Sequence, residues 1–496
     1  MSEQEGGNAR LVHWGIVSIL LVSMGLRVFR LAEQSIWYDE AFDILFAQKP
    51  WSVIWAQAVN DTMPSLHYLL LHTWMSLGPD EFFAKLFSVY LGLLAVAVTF
   101  VVGRRLFGPK VGLGGALLMA VSPFQIYYAR EVRMYSQLLF FGVLSVFFFV
   151  RCLGEIGNGH GDAFSTRWRD WLGLVLSTSL LVNSHTLGFI VPLTVGAVAL
   201  VLRWRQRGFV WRLLLSGVAV CILASPWLLF VLPAQLGRVA RTFWVSRPSL
   251  MSPLVTLYLF LVGHSVPPTW SAVALFSTLG LSVVAICEVR KRFSQSVALL
   301  LVWLFAPIVI VWCVSLISPI YLDRLFITGA PAFYLLLVLG FESMPRVLRW
   351  LLGGVLGVMM LLSLCHFYFD PGYQKPPMRD AVLYVADHYE PGDVVLHTGD
   401  SSFLTFVVYR SDWQQALVQG DPDHVDGAAR SESLKLLGLE AVTPDEIVKG
   451  HRRTWLVVAP DHSVEFQEQV ADRLLATYSG QEMTNLRGIR IYLLRS

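Results

Sequence analysis

Long apolar runs, each close to the length a bilayer demands, recur along this chain from Leu11 to Phe369. A helix rises about 1.5 Å per residue, so about 20 apolar residues cross a hydrocarbon core about 30 Å thick. On that ruler about eleven spans fall near 12–30, 84–104, 111–128, 134–151, 171–184, 187–203, 211–231, 270–288, 297–315, 325–341 and 347–368. Composition closes the alternative of a soluble domain. Of 496 residues 55% are hydrophobic and only 15% charged, against roughly 25% charged in soluble domains. A soluble core has no room for so much apolar surface, so most of it faces lipid. The formal net charge of +3, with its basic residues scattered through loops, excludes a nucleic-acid binder.

Loop charge sets the orientation. "GRRLFGPK", "STRWRD", "RWRQRGFVWR", "EVRKRF" and "MPRVLR" recur at every second connection, which marks those connections as cytoplasmic. The first span then runs inside to outside as a retained signal anchor, and an odd number of spans leaves the hydrophilic tail outside. The first outer loop, 31–83, holds two interrupted apolar stretches, 44–58 and 64–77. Reading either as a crossing would put every later basic cluster on the wrong side, so both are expected to lie at the interface, as is 251–265. The five cysteines all sit within or at the ends of apolar segments, which predicts no disulfide framework.

The tail reads differently. "MRDAVLYVADHYEPGDVVLHTG" predicts a helix, a Pro-Gly turn and a short strand. "TWLVVAP" followed by "DHSVEFQEQVADRLLATY" repeats strand and helix, and "IRIYLL" closes with a strand. The expected fold class is therefore a mainly α, polytopic membrane protein, 1–368, with a C-terminal extracytoplasmic α/β domain, 369–496.

Against this apolar background, "SIWYDEAF" places Asp39 and Glu40 side by side, about nine residues beyond the first span. Ionised carboxylates near lipid are costly unless hydrated or paired, so such a pair is a candidate functional site. Adjacent helical side chains point about 100° apart, so the two are expected to take different tasks. Asp39 fits two roles equally well, a general base or the N-cap of a helix starting near Ala41. Cations crowd the same side of the membrane: Arg27, Lys85, Arg130, Arg133 and Arg324 all stand at outer ends of spans. Each alone reads as snorkelling to headgroups. Together, where the positive-inside tendency predicts few cations, they point to a phosphate-bearing ligand held beside a base. Sugar transfer from a polyprenyl phosphate needs both groups, with cations for the departing phosphate and a carboxylate for the acceptor hydroxyl.

Three stretches carry a family resemblance: "LRVFRLAEQSIWYDEAF", "EFFAKLFSVYLGLL" leading to "GRRLFG", and "SPFQIYYAREVRMYSQLLFF". Over roughly the first 190 residues the chain resembles the GT-C glycosyltransferases, in particular bacterial relatives of protein O-mannosyltransferases and lipid A aminoarabinose transferases. "YLDRLFITGAPAFYLLL" and "MRDAVLYVADHYEPGDVVL" add weaker support. The resemblance implies that Asp39 is the base with Glu40 beside it, and that Arg27 and Arg133 contact the donor phosphate. Two departures stand out: the family often has paired prolines where this chain has Met63-Pro64, and a relative's arginine near the second span is Lys85 here, which cannot make a bidentate contact.

The resulting expectation is an inverting glycosyltransferase of the plasma membrane. It would move a hexose or pentose from a polyprenyl-phosphate donor to a hydroxyl of a protein, lipid or glycan acceptor at the outer face. Asp39 and Glu40 are the expected catalytic pair, and Arg27, Arg133, Lys85 and Arg324 the phosphate contacts. Asp61, His67, Tyr128, Tyr135 and His185 are secondary candidates for sugar or acceptor contacts. No cofactor is expected. A divalent cation is the minority reading, because the spacing shows no dedicated ligand cluster. The rival reading is a transporter or flippase of lipid-linked sugars, which calls for charges near the bilayer midplane and inverted repeats.

Overall fold

The computed structural model describes residues 2–57, 63–154, 168–233, 237, 245–290, 294–418, 434–439, 441–442, 444–459 and 464–495. The chain divides into two compact units. One comprises 1–29, 63–67 and 85–373; the other comprises 30–62, 68–84 and 374–496.

The first unit is helical. Among the described residues, seven helices are long and apolar enough to cross a membrane: Gly7–Val28, Glu81–Phe107, Tyr135–Leu153, Arg207–Val231, Gln295–Ser315, Asp323–Ser343 and Arg346–Phe369. Two further pieces, Pro109–Val121 and Pro123–Ala129, pass the same test together and are bent by 61°, as in a broken span or a re-entrant loop. The protein is a multi-pass membrane protein. Helices Leu66–Met75 and Ser252–Val262 have 10 and 11 residues, about half the length a crossing requires.

The bend has a chemical cause. Pro123 lacks the N–H that a continuous helix would offer to the Met119 carbonyl, and the break also strands the Ala120 carbonyl. In lipid such groups need a partner. Arg27 supplies it, donating to Met119 O at 3.3 Å and Ala120 O at 3.0 Å. Ser122 caps the second piece by accepting from the Gln125 N–H at 3.3 Å. Gly92 permits the close approach here, because a Cβ there would stand 3.0 Å from Ala129 Cβ and 3.4 Å from Arg27 Nε.

The second unit contains a six-stranded mixed sheet in the order β3-β2-β1-β4-β6-β5. The strands are β1 Val394–His397, β2 Gln414–Val418, β3 Ala441–Val442, β4 Arg453–Val458, β5 Ser479–Leu486 and β6 Ile489–Arg495. β1 to β4 run parallel; β6 is antiparallel to β4 and to β5. Both faces are covered. Val395, Trp455, Val457, Ile491 and Leu493 enter one core with helix Met378–Ala386, whereas Leu396, Leu456, Val458, Tyr492 and Leu494 enter the other with helix Val464–Thr477. Residues of opposite parity therefore serve opposite cores, as the period of a strand requires. The β5–β6 hairpin turns on Arg487 and Gly488, both at positive φ (49° and 92°), the conformation of a two-residue turn that matches strand twist. The predicted helix, Pro-Gly turn and strand at 378–397 are present, as are β4, the helix after it and β6.

His397 ends β1 completely buried, with Nδ1 3.1 Å from Ser402 Oγ. Burial pushes its imidazole down to about 3, against about 6.5 for an exposed ring. The unfolded chain therefore binds the proton first. The stability that the neutral ring contributes is complete above about pH 6.5 and falls as pH drops towards 3, by up to about 1.4 kcal/mol per pH unit. The protection factors of the β1 amides, exchange rates divided into the intrinsic rate at each pH, are expected to fall between about pH 7 and about pH 5 in the wild type and much less in His397→Gln. Equal pH responses in the two proteins would remove His397 as the sensor.

Candidate functional site

The acidic side is built in the second unit. Helix Tyr38–Ala47 starts from Trp37 in an extended conformation, and Glu40, in the first turn, reaches back to accept the Trp37 N–H at 3.2 Å. Glu40 thus performs the cap function that the sequence also allowed for Asp39. Glu40 is 0% exposed and its Oε2 lies 2.6 Å from Lys375 Nζ. Asp39 is half-buried in the same first turn. Asp43 stands four residues on and buried; that spacing puts it on the same helix face as Asp39. Asp61 lies outside the described residues.

The cationic side is built in the first unit. After the bent pair of helices the chain passes through Arg130 and Arg133 into helix Tyr135–Leu153. Arg130 donates to the Phe29 carbonyl at 2.6 Å and lies over the rings of Phe367 and Tyr368. Arg324 opens the Asp323–Ser343 segment, its guanidinium 5.6 Å from the centre of the Tyr135 ring. Ser88 Oγ donates to the Arg133 carbonyl at 3.5 Å, and Lys85, buried, lies three residues before Ser88 on the same helical face.

His185 belongs to this cluster. It sits between helices Trp168–Val182 and Ile190–Arg203. Burial, and then the charges of Arg324 and Arg133, push its imidazole down to about 3. The ring is neutral, and because Nδ1 accepts the Leu187 N–H at 3.0 Å, its proton resides on Nε2. A neutral N–H donor thus stands among guanidinium groups. A second polar chain runs nearby in sequence: His67 Nδ1 is 3.3 Å from Gln137 Oε1, and Gln137 Nε2 donates to Ser184 Oγ at 2.8 Å.

Tyr128 and Tyr135 are both buried, edge to face with each other at 5.1 Å. Tyr128 donates its hydroxyl to Asp323 Oδ2 at 3.2 Å. His264 Nε2 also pairs with Asp323 Oδ2 at 3.2 Å. Gly263, at φ +66°, makes the approach of His264 possible, since a Cβ there would stand 2.9 Å from Pro123 Cβ.

Arg27 holds the bend at Pro123. It is 1% exposed, and besides the two carbonyls of the bend it donates to Ser23 Oγ at 2.6 Å. Among the described residues there is no group of three or more His, Cys, Asp or Glu able to hold a metal ion.

A model of the dolichyl-phosphate-mannose-protein mannosyltransferase family matches residues 62–230. No curated protein matches. Similar folds occur among solved structures. ArnT from Cupriavidus metallidurans in the apo state is 14% identical with a TM-score of 0.64, and the alignment covers 99% of this chain and 98% of that one. The same enzyme bound to undecaprenyl phosphate gives 15% identity and a TM-score of 0.63 over 98% of each chain. The chain has the GT-C fold. A third GT-C structure, the archaeal oligosaccharyltransferase AglB from Archaeoglobus fulgidus in complex with an inhibitory peptide and a dolichol-phosphate, is 11% identical with a TM-score of 0.53, covering 98% of this chain and 74% of that chain.

The structure brings Arg133, Arg324, His185, Tyr128 and Tyr135 together in one unit and adds Asp323 and His264, which the sequence reading passed over. In the other unit it joins Glu40 to Lys375, also passed over. Asp43 had a legible signal, the four-residue spacing from Asp39. Lys375 had none, because its partner is 335 residues away.

Proposed function

We propose that this protein is an inverting glycosyltransferase that moves a sugar from a polyprenyl-phosphate donor to an acceptor hydroxyl at the outer face of the plasma membrane. The supporting observation is the cation cluster, in which Arg324 and Arg133 both bear on His185, a ring that burial first of all keeps neutral. The polyprenyl phosphate bound by ArnT, whose fold matches over nearly the whole chain, agrees with that chemistry. The basic clusters at alternate connections assign the N-terminus to the cytoplasm and the acids and the tail to the outer side.

Asp39 takes the acceptor's hydroxyl proton. The freed oxygen attacks the anomeric carbon, and the bond from that carbon to the phosphate oxygen breaks with its electron pair going to the phosphate. The donor phosphodiester carries one negative charge and the departing monoester gains a second. Arg133, Arg324 and Lys85 therefore bind the transition state better than the ground state. The Nε2–H of neutral His185 adds a donor without competing for charge. One displacement inverts the anomeric centre. Because guanidinium groups supply the counter-charge, transfer is expected to survive EDTA.

The test uses detergent-solubilised protein with undecaprenyl-phosphate mannose and undecaprenyl-phosphate aminoarabinose, each radiolabelled in the sugar, and cell-envelope extract as acceptor. Release of undecaprenyl phosphate with label passing to the acceptor supports a transferase. Movement of intact donor across vesicles without cleavage would sink it in favour of a flippase.

A further inference from the structure

The segment that carries Asp39 is fastened along its length by residues of the C-terminal region, all within the second unit. At its start, the Arg379 guanidinium donates to the Ala32 carbonyl and the Arg379 backbone N–H donates to Ser35 Oγ at 3.1 Å. The Tyr409 hydroxyl accepts the Ile36 N–H at 3.2 Å and donates to Glu81 Oε2 at 2.8 Å. Arg379 also pairs with Glu81, so one carboxylate ties both anchors together. In the middle, Lys375 pairs with Glu40 at 2.6 Å, with the two side chains 13% and 0% exposed. Past its end, Lys49 Nζ donates to the Leu437 carbonyl at 2.8 Å. Helix Tyr38–Ala47 packs along helix Asp400–Tyr409 over the same stretch. Asp39 thus lies between fixed points on both sides.

We propose that Lys375 is a positioning residue: through the buried Glu40 carboxylate it holds the first turn of helix Tyr38–Ala47, and with it the Asp39 carboxylate, in the geometry that transfer requires. The inference rests on Asp39 being the base of the proposed transferase. The physical reasoning concerns what a buried ion pair does best. Its desolvation offsets much of its attraction, so it adds little stability, yet it selects one conformation, because a displaced partner leaves a buried charge unmatched. A general base needs that selection. It must stand within hydrogen-bond reach of the proton it takes, and a displacement of about 1 Å costs about 100-fold in rate. Glu40 joins the two demands, since the same Oε2 caps the helix and meets Lys375. The C-terminal domain is then part of the catalytic apparatus by way of its first residues, and its removal is not equivalent to removing an acceptor module.

The experiment compares Lys375→Met, Lys375→Arg, Glu40→Gln and the double variant Glu40→Gln/Lys375→Met in the full-length protein, with the radiolabelled undecaprenyl-phosphate sugar that the wild type turns over. Lys375→Met and Glu40→Gln are each expected to lower kcat at least about tenfold while the donor KM stays within about twofold, because the phosphate contacts are untouched. Lys375→Arg restores most of the rate. The double variant loses no more than either single change, since both act through one pair. Hydrogen exchange of amides 33–42 rises in Lys375→Met. Wild-type kcat in Lys375→Met, or a double-variant loss equal to the product of the single losses, overturns the proposal. If Lys375→Met does not fold, the double variant, which removes both charges, takes its place, and wild-type kcat there is equally fatal. Should the wild type release no undecaprenyl phosphate, the transferase reading fails on its own, while unchanged exchange at 33–42 on loss of Lys375 separately removes the positioning role.

Discussion

Asp39→Asn is expected to yield a folded, membrane-inserted protein whose transfer rate is lower by about 10²–10⁴-fold, the range of a lost general base. The substitution keeps shape and removes only the ability to take a proton. It leaves the local architecture intact, because the helix cap and the buried ion pair both belong to Glu40. Asp39 is half-buried and not part of the sheet or of its cores, so thermal unfolding in detergent should change little. Donor KM should also hold, since the phosphate contacts proposed above lie elsewhere in the chain. Near-normal turnover in this variant would take the role of base away from Asp39, and Asp43, on the same helix face, would be the next carboxylate to test.

The second large effect separates cations that serve the ligand from those that serve the fold. Arg133→Gln and Arg324→Gln should each lower kcat/KM by about 10²–10³-fold, the loss associated with removing one group that stabilises developing negative charge. The folded state should survive. Arg27→Leu should behave in the opposite way. Its guanidinium is committed to the Met119 and Ala120 carbonyls and to Ser23, and each buried carbonyl left without a partner costs about 1–3 kcal/mol. The variant should therefore show low yield and a lowered unfolding temperature, with turnover per folded molecule close to wild type. Measuring turnover and thermal unfolding on the same preparations decides the matter. A normally stable Arg27→Leu protein with a kinetic loss as deep as that of Arg133→Gln would return Arg27 to the phosphate site.

The partners of Arg27 show where sequence reading stops. Arg27 and Arg133 both stand at span ends in the same kind of motif, and the resemblance to known glycosyltransferases treated them alike. What gives Arg27 its partners is Pro123. Its missing N–H orphans a carbonyl 92 residues away from Arg27, a relation no local pattern encodes. The tyrosines follow the same rule. Tyr128 and Tyr135, candidates for sugar contacts, are both buried, one against Asp323 and the other under Arg324.

In the tail, β1, β4 and β6 were legible because strands buried on both faces are written as continuous apolar runs. β5, mostly exposed polar residues from Ser479 to Leu486, and the two-residue β3 carry no such signal. By itself the sequence determined the class of protein, most of its helices and the place of the acidic pair, since the bilayer imposes length and polarity on every segment separately. Only the tertiary structure decided that the first loop groups with residues 374–496 and that Glu40 belongs to Lys375. Which polar groups become partners depends on contacts hundreds of residues apart, and those exist only once the chain has folded.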